Sequence, residues 1–86
     1  MSALEPLPQN ALITVFGGTG FLGRHIVRRL SKDGYRLRIA TRRPNEALFL
    51  KTNGTPGQIE IVQANIRDTD SINGALKGAD AVINAV

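Results

Sequence analysis

The sequence predicts an α/β fold built on a doubly wound parallel sheet, and three observations predict it. Short apolar runs rich in β-branched residues alternate down the chain with helical patterns. The first run, Ala11 to Phe16, is nearly continuous in apolar residues, as a strand covered on both faces should be. A glycine-rich turn follows it at once. Strand and helix in alternation argue for parallel pairing through right-handed crossovers.

Each element has its own signal. Residues 1–10, with two prolines, read as an irregular lead-in. Ala11 to Phe16 is the first strand. From Gly20 to Asp33 the pattern is helical, with Leu22, Ile26, Val27 and Leu30 on one face and Arg24, Arg28, Arg29 and Lys32 elsewhere on the surface. Gly34 stands where a left-handed glycine would end that helix. Tyr35 to Ala40 alternates and reads as the second strand, stopped by Pro44. Asn45 to Lys51 has the composition of a short helix, and Thr52 to Gly57 is a loop by its turn residues. Ile59 to Ala64 is the third strand. Asp68, Thr69 or Asp70 can cap a helix running to about Lys77, with Gly78 ending it. Asp80 to Val86 is the fourth strand.

A chain of 86 residues has room for one domain at most. A sheet of this kind normally continues to about six strands. Residues 11–86 are therefore expected to be the N-terminal part of one nucleotide-binding domain, with about four of its strands. Apolar residues make up 42% and charges are well mixed, which excludes the disordered and fibrous classes. The absence of cysteine excludes disulfides, thiolate nucleophiles and cysteine-held metals. The longest apolar runs fall far short of the roughly 20 residues that a bilayer span needs. Met1 to Pro6 carries neither a basic nor an apolar leader segment, so the expected location is the cytoplasm. The net charge of +4 suits an anionic partner.

The informative segment is Gly17-Gly18-Thr19-Gly20-Phe21-Leu22-Gly23. It fits two registers of the dinucleotide fingerprint: Gly18-x-Gly20-x-x-Gly23 and Gly17-x-x-Gly20-x-x-Gly23. The first glycine permits the tight turn out of the strand. Gly20, without a Cβ, lets backbone approach a pyrophosphate, and Gly23 lets the helix pack closely on the strand. The helix N-terminus supplies N–H groups and the positive dipole end for the anion. Strand before, helix after and second strand following make this a Rossmann-type arrangement.

An acid for a ribose hydroxyl is expected about 20 residues past the motif. There the chain has Thr41, Arg42 and Arg43. Two guanidiniums can clamp a 2′-phosphate through paired donors. NADP(H) is the favoured cofactor, with NAD(H) as the alternative.

These segments resemble the short-chain dehydrogenase/reductase superfamily in its extended and atypical branches. Phe16 before the first glycine, where the extended branch usually has Thr, fits the atypical branch. The string Thr14 to Arg24 is similar to the 39-kDa-type NADPH-binding accessory subunits of respiratory complex I and their bacterial relatives. Thr41-Arg42-Arg43-Pro44, Gly57-Gln58-Ile59 and Val62 to Asp68 support that likeness, which covers Leu12 to Val86. It implies that Thr19 to Leu22 lie against the pyrophosphate, Arg42 and Arg43 near the 2′-phosphate, Asn65 and Ile66 at the adenine, and Asn84 and Ala85 on the cofactor floor. Superfamily members often have Asp at the position of Asn65. The likeness also implies subunits of a respiratory complex as partners, with peripheral attachment at the inner face of the membrane.

The superfamily's enzymes use a Tyr-x-x-x-Lys pair. Tyr35 is the sole tyrosine and is followed at the lysine position by Ile39, so these residues hold no catalytic pair. His25 reads as a helix-surface residue. The basic helix has no aromatic platform or recognition motif, which argues against a nucleic-acid partner. Asp68, Asp70 and Asp80 are too scattered to argue for a metal. Three functions follow: a non-catalytic NADPH-holding subunit of NADH:ubiquinone oxidoreductase, an NAD(P)-dependent epimerase, dehydratase or reductase, and a redox-sensing regulator of the NmrA-like kind.

Overall fold

β1 (Leu12–Phe16) is the spine of the sheet, and the computed structural model, which describes residues 7–8 and 10–85, pairs it on both edges. Of the expected lead-in, residues 1–6 and 9 lie outside the described residues, as does Val86 at the end of the expected fourth strand. The elements follow in the order β1, α1 (Phe21–Lys32), β2 (Arg36–Thr41), a 3-10 helix (Pro44–Asn53), β3 (Ile59–Gln63), α2 (Thr69–Leu76) and β4 (Ala81–Asn84). All pairings are parallel, in the spatial order β3-β2-β1-β4. The chain thus walks one way from β1 to β3, then returns to the other side of β1. That reversal marks the point where open α/β sheets bind ligands.

Two different faces cover the sheet. Ile13 and Val15 of β1, Leu37 and Ile39 of β2 and Ile59 of β3 meet Val27 of α1 and Ala47 and Leu50 of the 3-10 helix. On the opposite face Ala40, Ala64 and Ala75 cluster with Phe16 and Val62. The second face also carries polar work. The buried Thr14 hydroxyl donates to the Ala75 carbonyl at 2.7 Å. Its cross-strand neighbour Arg38 donates through Nη1 to the carbonyls of Ala75 (3.0 Å) and Lys77 (2.6 Å). Both residues satisfy carbonyls at the end of α2 that no further helical turn can satisfy.

The helix ends follow their local chemistry. Gly34 (φ +90°) and Gly78 (φ +76°) take the left-handed conformation expected after α1 and α2. Asp68 caps α2 by accepting from the Asp70 N–H at 3.1 Å. Asp80 accepts from the Leu12 N–H at 2.9 Å and so ties the start of β4 to β1.

Two expectations need correction. The packed face of α1 runs through Gly23, Val27, Leu30 and Ser31, and Leu22 is 62% exposed. The close approach at Gly23 sets the helix rotation, and Leu22, one residue back, is turned about 100° away. The segment expected as a short helix over Asn45 to Lys51, followed by a loop from Thr52, winds instead as a 3-10 helix from Pro44 through Asn53. Its three-residue period seats Ala47 and Leu50 in the core, and the Thr52 hydroxyl holds the Phe49 carbonyl at 2.8 Å.

Candidate functional site

The glycine turn leaves β1 at Gly17, whose φ of +79° is the left-handed conformation that glycine adopts without strain. Gly17 therefore makes the turn, and Gly18 does something else. A Cβ on Gly18 would stand 3.1 Å from Ile39 Cγ2 and 3.3 Å from Val27 Cγ2. A Cβ on Gly23 would strike the Gly17 carbonyl oxygen and lie 2.8 Å from Gly18 Cα. The turn thus runs in the register Gly17-x-x-Gly20-x-x-Gly23, with Gly18 as a packing residue.

Gly20 differs from the others. It caps α1 in an extended conformation (φ −75°), and the nearest atom to an added Cβ is 4.0 Å away. The protein's own packing does not require glycine here, so the space left open is available to something outside the chain. Among the described residues no side chain caps α1, and no acid sits in its first turn. Its N–H groups and positive dipole end stay available to an anion.

A cleft of about 860 Å³ opens along the C-terminal edge of the sheet. The ends of β1, β2 and β3 and the residues after them line it (Phe16, Gly17, Thr19, Ala40 to Arg43, Ala64 to Arg67), with Arg24 of α1 and Glu46 and Phe49 of the 3-10 helix. Of the residues expected at a nucleotide, the structure brings Gly17, Thr19, Arg42, Arg43, Asn65 and Ile66 into this lining. Gly18 and Gly23 are buried in the packing of the turn, and Gly20 caps the helix. Phe21 is 77% exposed and borders a smaller cavity of about 390 Å³ with Arg24, His25 and Arg28, its ring edge-on to His25 at 4.7 Å. Leu22 lines neither. Asn84 pairs with Phe16 in the sheet and the Ala85 N–H donates to the Phe16 carbonyl at 2.8 Å. Those two residues continue the same sheet edge on the far side of β1, outside the cleft lining.

Eight lining residues were not among those expected at a nucleotide, and of these Arg24, Glu46, Phe49 and Arg67 bring charged or aromatic side chains. Arg24 follows the third glycine and packs its guanidinium 5.7 Å from the centre of the Phe49 ring. Arg67 lies three residues past Ala64. Glu46 stands three residues after Arg43, a spacing that signals a charge pair. Phe49 enters from the 3-10 helix.

The cleft is strongly cationic. Arg24, Arg42, Arg43 and Arg67 line it against one carboxylate, Glu46. Arg43 Nη1 pairs with Glu46 Oε2 at 3.5 Å. Arg42 and Arg67 have no acidic partner among the described residues. Ser71 holds the Asn65 segment: its Oγ accepts from the Asn65 N–H and shares its one proton between the Asn65 and Asp68 carbonyls, all at 3.0 Å. Asn65 Oδ1 accepts from the Arg67 N–H at 2.9 Å, a turn that Asp would make equally well. The amide NH₂ of Asn65 is what distinguishes it, as a donor at the cleft rim.

The NmrA-like family model matches residues 9–86. The mitochondrial NADH-ubiquinone oxidoreductase 40 kDa subunit of Neurospora crassa is 37% identical over 73 residues, which is 85% of this chain and 20% of that protein. A ceramide reductase of Caulobacter vibrioides is 33% identical over 73 residues, 85% of this chain and 22% of that protein. A short chain dehydrogenase of known structure from Bacillus anthracis superposes with a TM-score of 0.76 at 26% identity, over 91% of this chain and 35% of its own. The chain spans about a fifth of the length of the curated relatives it matches.

Proposed function

The chain belongs to the NmrA-like family of NAD(P)-binding Rossmann proteins, and from that premise we propose that it is the cofactor-holding part of an accessory subunit of NADH:ubiquinone oxidoreductase, with NADPH as its ligand. The observation that carries the NADPH reading is the cluster of four guanidiniums on the cleft, with no acid at the end of β2. In this reading residues 11–86 are the N-terminal part of the domain and supply its adenosine half. The turn Gly17 to Gly23 and the start of α1 face the pyrophosphate. Arg42 and Arg43 stand at the 2′-phosphate, and Asn65 and Ile66 at the adenine. Asn84 and Ala85 belong to the floor on the other side of β1. Bound cofactor supplies stability here: a ligand at 100 times its Kd adds about 2.7 kcal/mol.

Similarity to the Neurospora crassa subunit supports the accessory role. The partners are then respiratory-complex subunits, and membrane attachment is peripheral through them. Among the described residues no helix is long and apolar enough to cross a membrane.

Similarity to the ceramide reductase favours a second reading, an NADPH-dependent reductase. Thermal unfolding of the protein at low salt with NADPH and with NADH tests the cofactor. NADPH should raise the midpoint clearly more than NADH, and equal stabilisation by both removes the NADPH assignment. Steady oxidation of NADPH with a carbonyl substrate, followed by absorbance, moves the assignment to the reductase.

A further inference from the structure

The loop between β2 and the 3-10 helix is pinned twice. The Arg43 N–H donates to Thr41 Oγ1 at 3.1 Å, and the Glu46 N–H donates to the Arg43 carbonyl at 3.0 Å. Arg43 is the N-cap of the 3-10 helix and Glu46 lies in its first turn, where its carboxylate meets the Arg43 guanidinium at 3.5 Å. Both side chains line the cleft and both are largely exposed. Arg42, one residue earlier on the same loop, has no acidic partner among the described residues.

We propose that Glu46 is a specificity-determining residue of the cleft: by occupying Arg43 it lowers the preference for a 2′-phosphorylated ribose and leaves that phosphate to Arg42. The inference rests on the dinucleotide reading of the cleft. Its physical basis is competition. A 2′-phosphate arriving at Arg43 must displace the Glu46 carboxylate or share the guanidinium with it. A ribose 2′-hydroxyl meets no such competitor and can donate to that carboxylate.

The test is calorimetric titration of the protein, Glu46→Gln, Arg43→Ala and the double variant with adenosine 2′,5′-bisphosphate and with 5′-AMP. These probes reach only the adenosine half of the site. Glu46→Gln should bind the bisphosphate about 1.5-fold to fivefold tighter, the range of an exposed charge pair, with 5′-AMP unchanged or slightly weaker. In the Arg43→Ala background the gain should vanish. An equal gain for both nucleotides, no gain, or a gain that survives loss of Arg43 overturns the inference. Should the unaltered protein bind both nucleotides alike while Glu46→Gln prefers the bisphosphate, this inference stands and the NADPH assignment falls. Binding of neither nucleotide removes both.

Discussion

Glycines of one turn carry different duties, and single methyl groups separate them. At Gly23 a Cβ meets backbone atoms of Gly17 and Gly18, which cannot swing aside as a side chain could. Helix propensity favours Gly23→Ala by about 1 kcal/mol. The steric cost exceeds it, because relief requires moving α1 off the turn; overpacking of this kind costs about 1–3 kcal/mol and more against rigid atoms. A net loss of about 2 kcal/mol in urea unfolding is expected. Gly20→Ala should cost less than about 1 kcal/mol, since its space is open and its φ suits any residue. Its effect should appear in NADPH binding, weakened at least several-fold. If Gly20→Ala binds normally while folding normally, no ligand backbone approaches that cap.

At the scale of elements, α2 is anchored by polar groups of the sheet more than by its own apolar surface. Ala75 is its one buried residue among those described. Thr14 and Arg38 hold its C-terminal carbonyls, with Arg38 also donating to Glu60 at 3.0 Å. Hydrogen bonds from a charged group contribute about 1.5–3 kcal/mol. Arg38→Met should therefore destabilise the protein by about 2 kcal/mol and speed amide exchange at Lys77 and Ala79 before that in β1. Uniform loss of protection across the sheet would show that Arg38 supports the sheet and not the helix end.

The sequence made the strands, α1 and the αL glycines legible, because apolar period and turn chemistry act within a few residues. Arg38 was legible only as a member of an alternating strand; that its face is covered by α2 depends on a contact 37 residues away. The 3-10 winding was hidden for a different reason: Ala47 and Leu50, three apart, suit either helix. The rotation of α1, set at Gly23, decided that Arg24 joins the cleft while Leu22 does not. Arg42 and Arg43 could be anticipated because residues just past the end of a parallel strand gather at the ligand edge, whereas Asn65 and Ile66 were expected only through the family resemblance.

For the molecule as a whole, the net charge of +4 is concentrated where it has consequences. Four guanidiniums and one carboxylate line the cleft, leaving a surplus of three positive charges there. The groups are exposed for the most part, so their pull on a phosphate acts through solvent and is open to screening. A dianionic phosphate about 8 Å from three such charges gains roughly 3 kcal/mol at water's dielectric constant before screening. The Debye length falls from about 14 Å to about 6 Å between about 0.05 and about 0.3 M salt, which removes roughly a third of that gain. Affinity for adenosine 2′,5′-bisphosphate should then fall about fivefold over this range, while 5′-AMP, with one phosphate fewer, falls less. A salt response equal for the two nucleotides would mean that the surplus charge recognises phosphate in general and gives the 2′ position no privilege, leaving selectivity to the short contacts at Arg42.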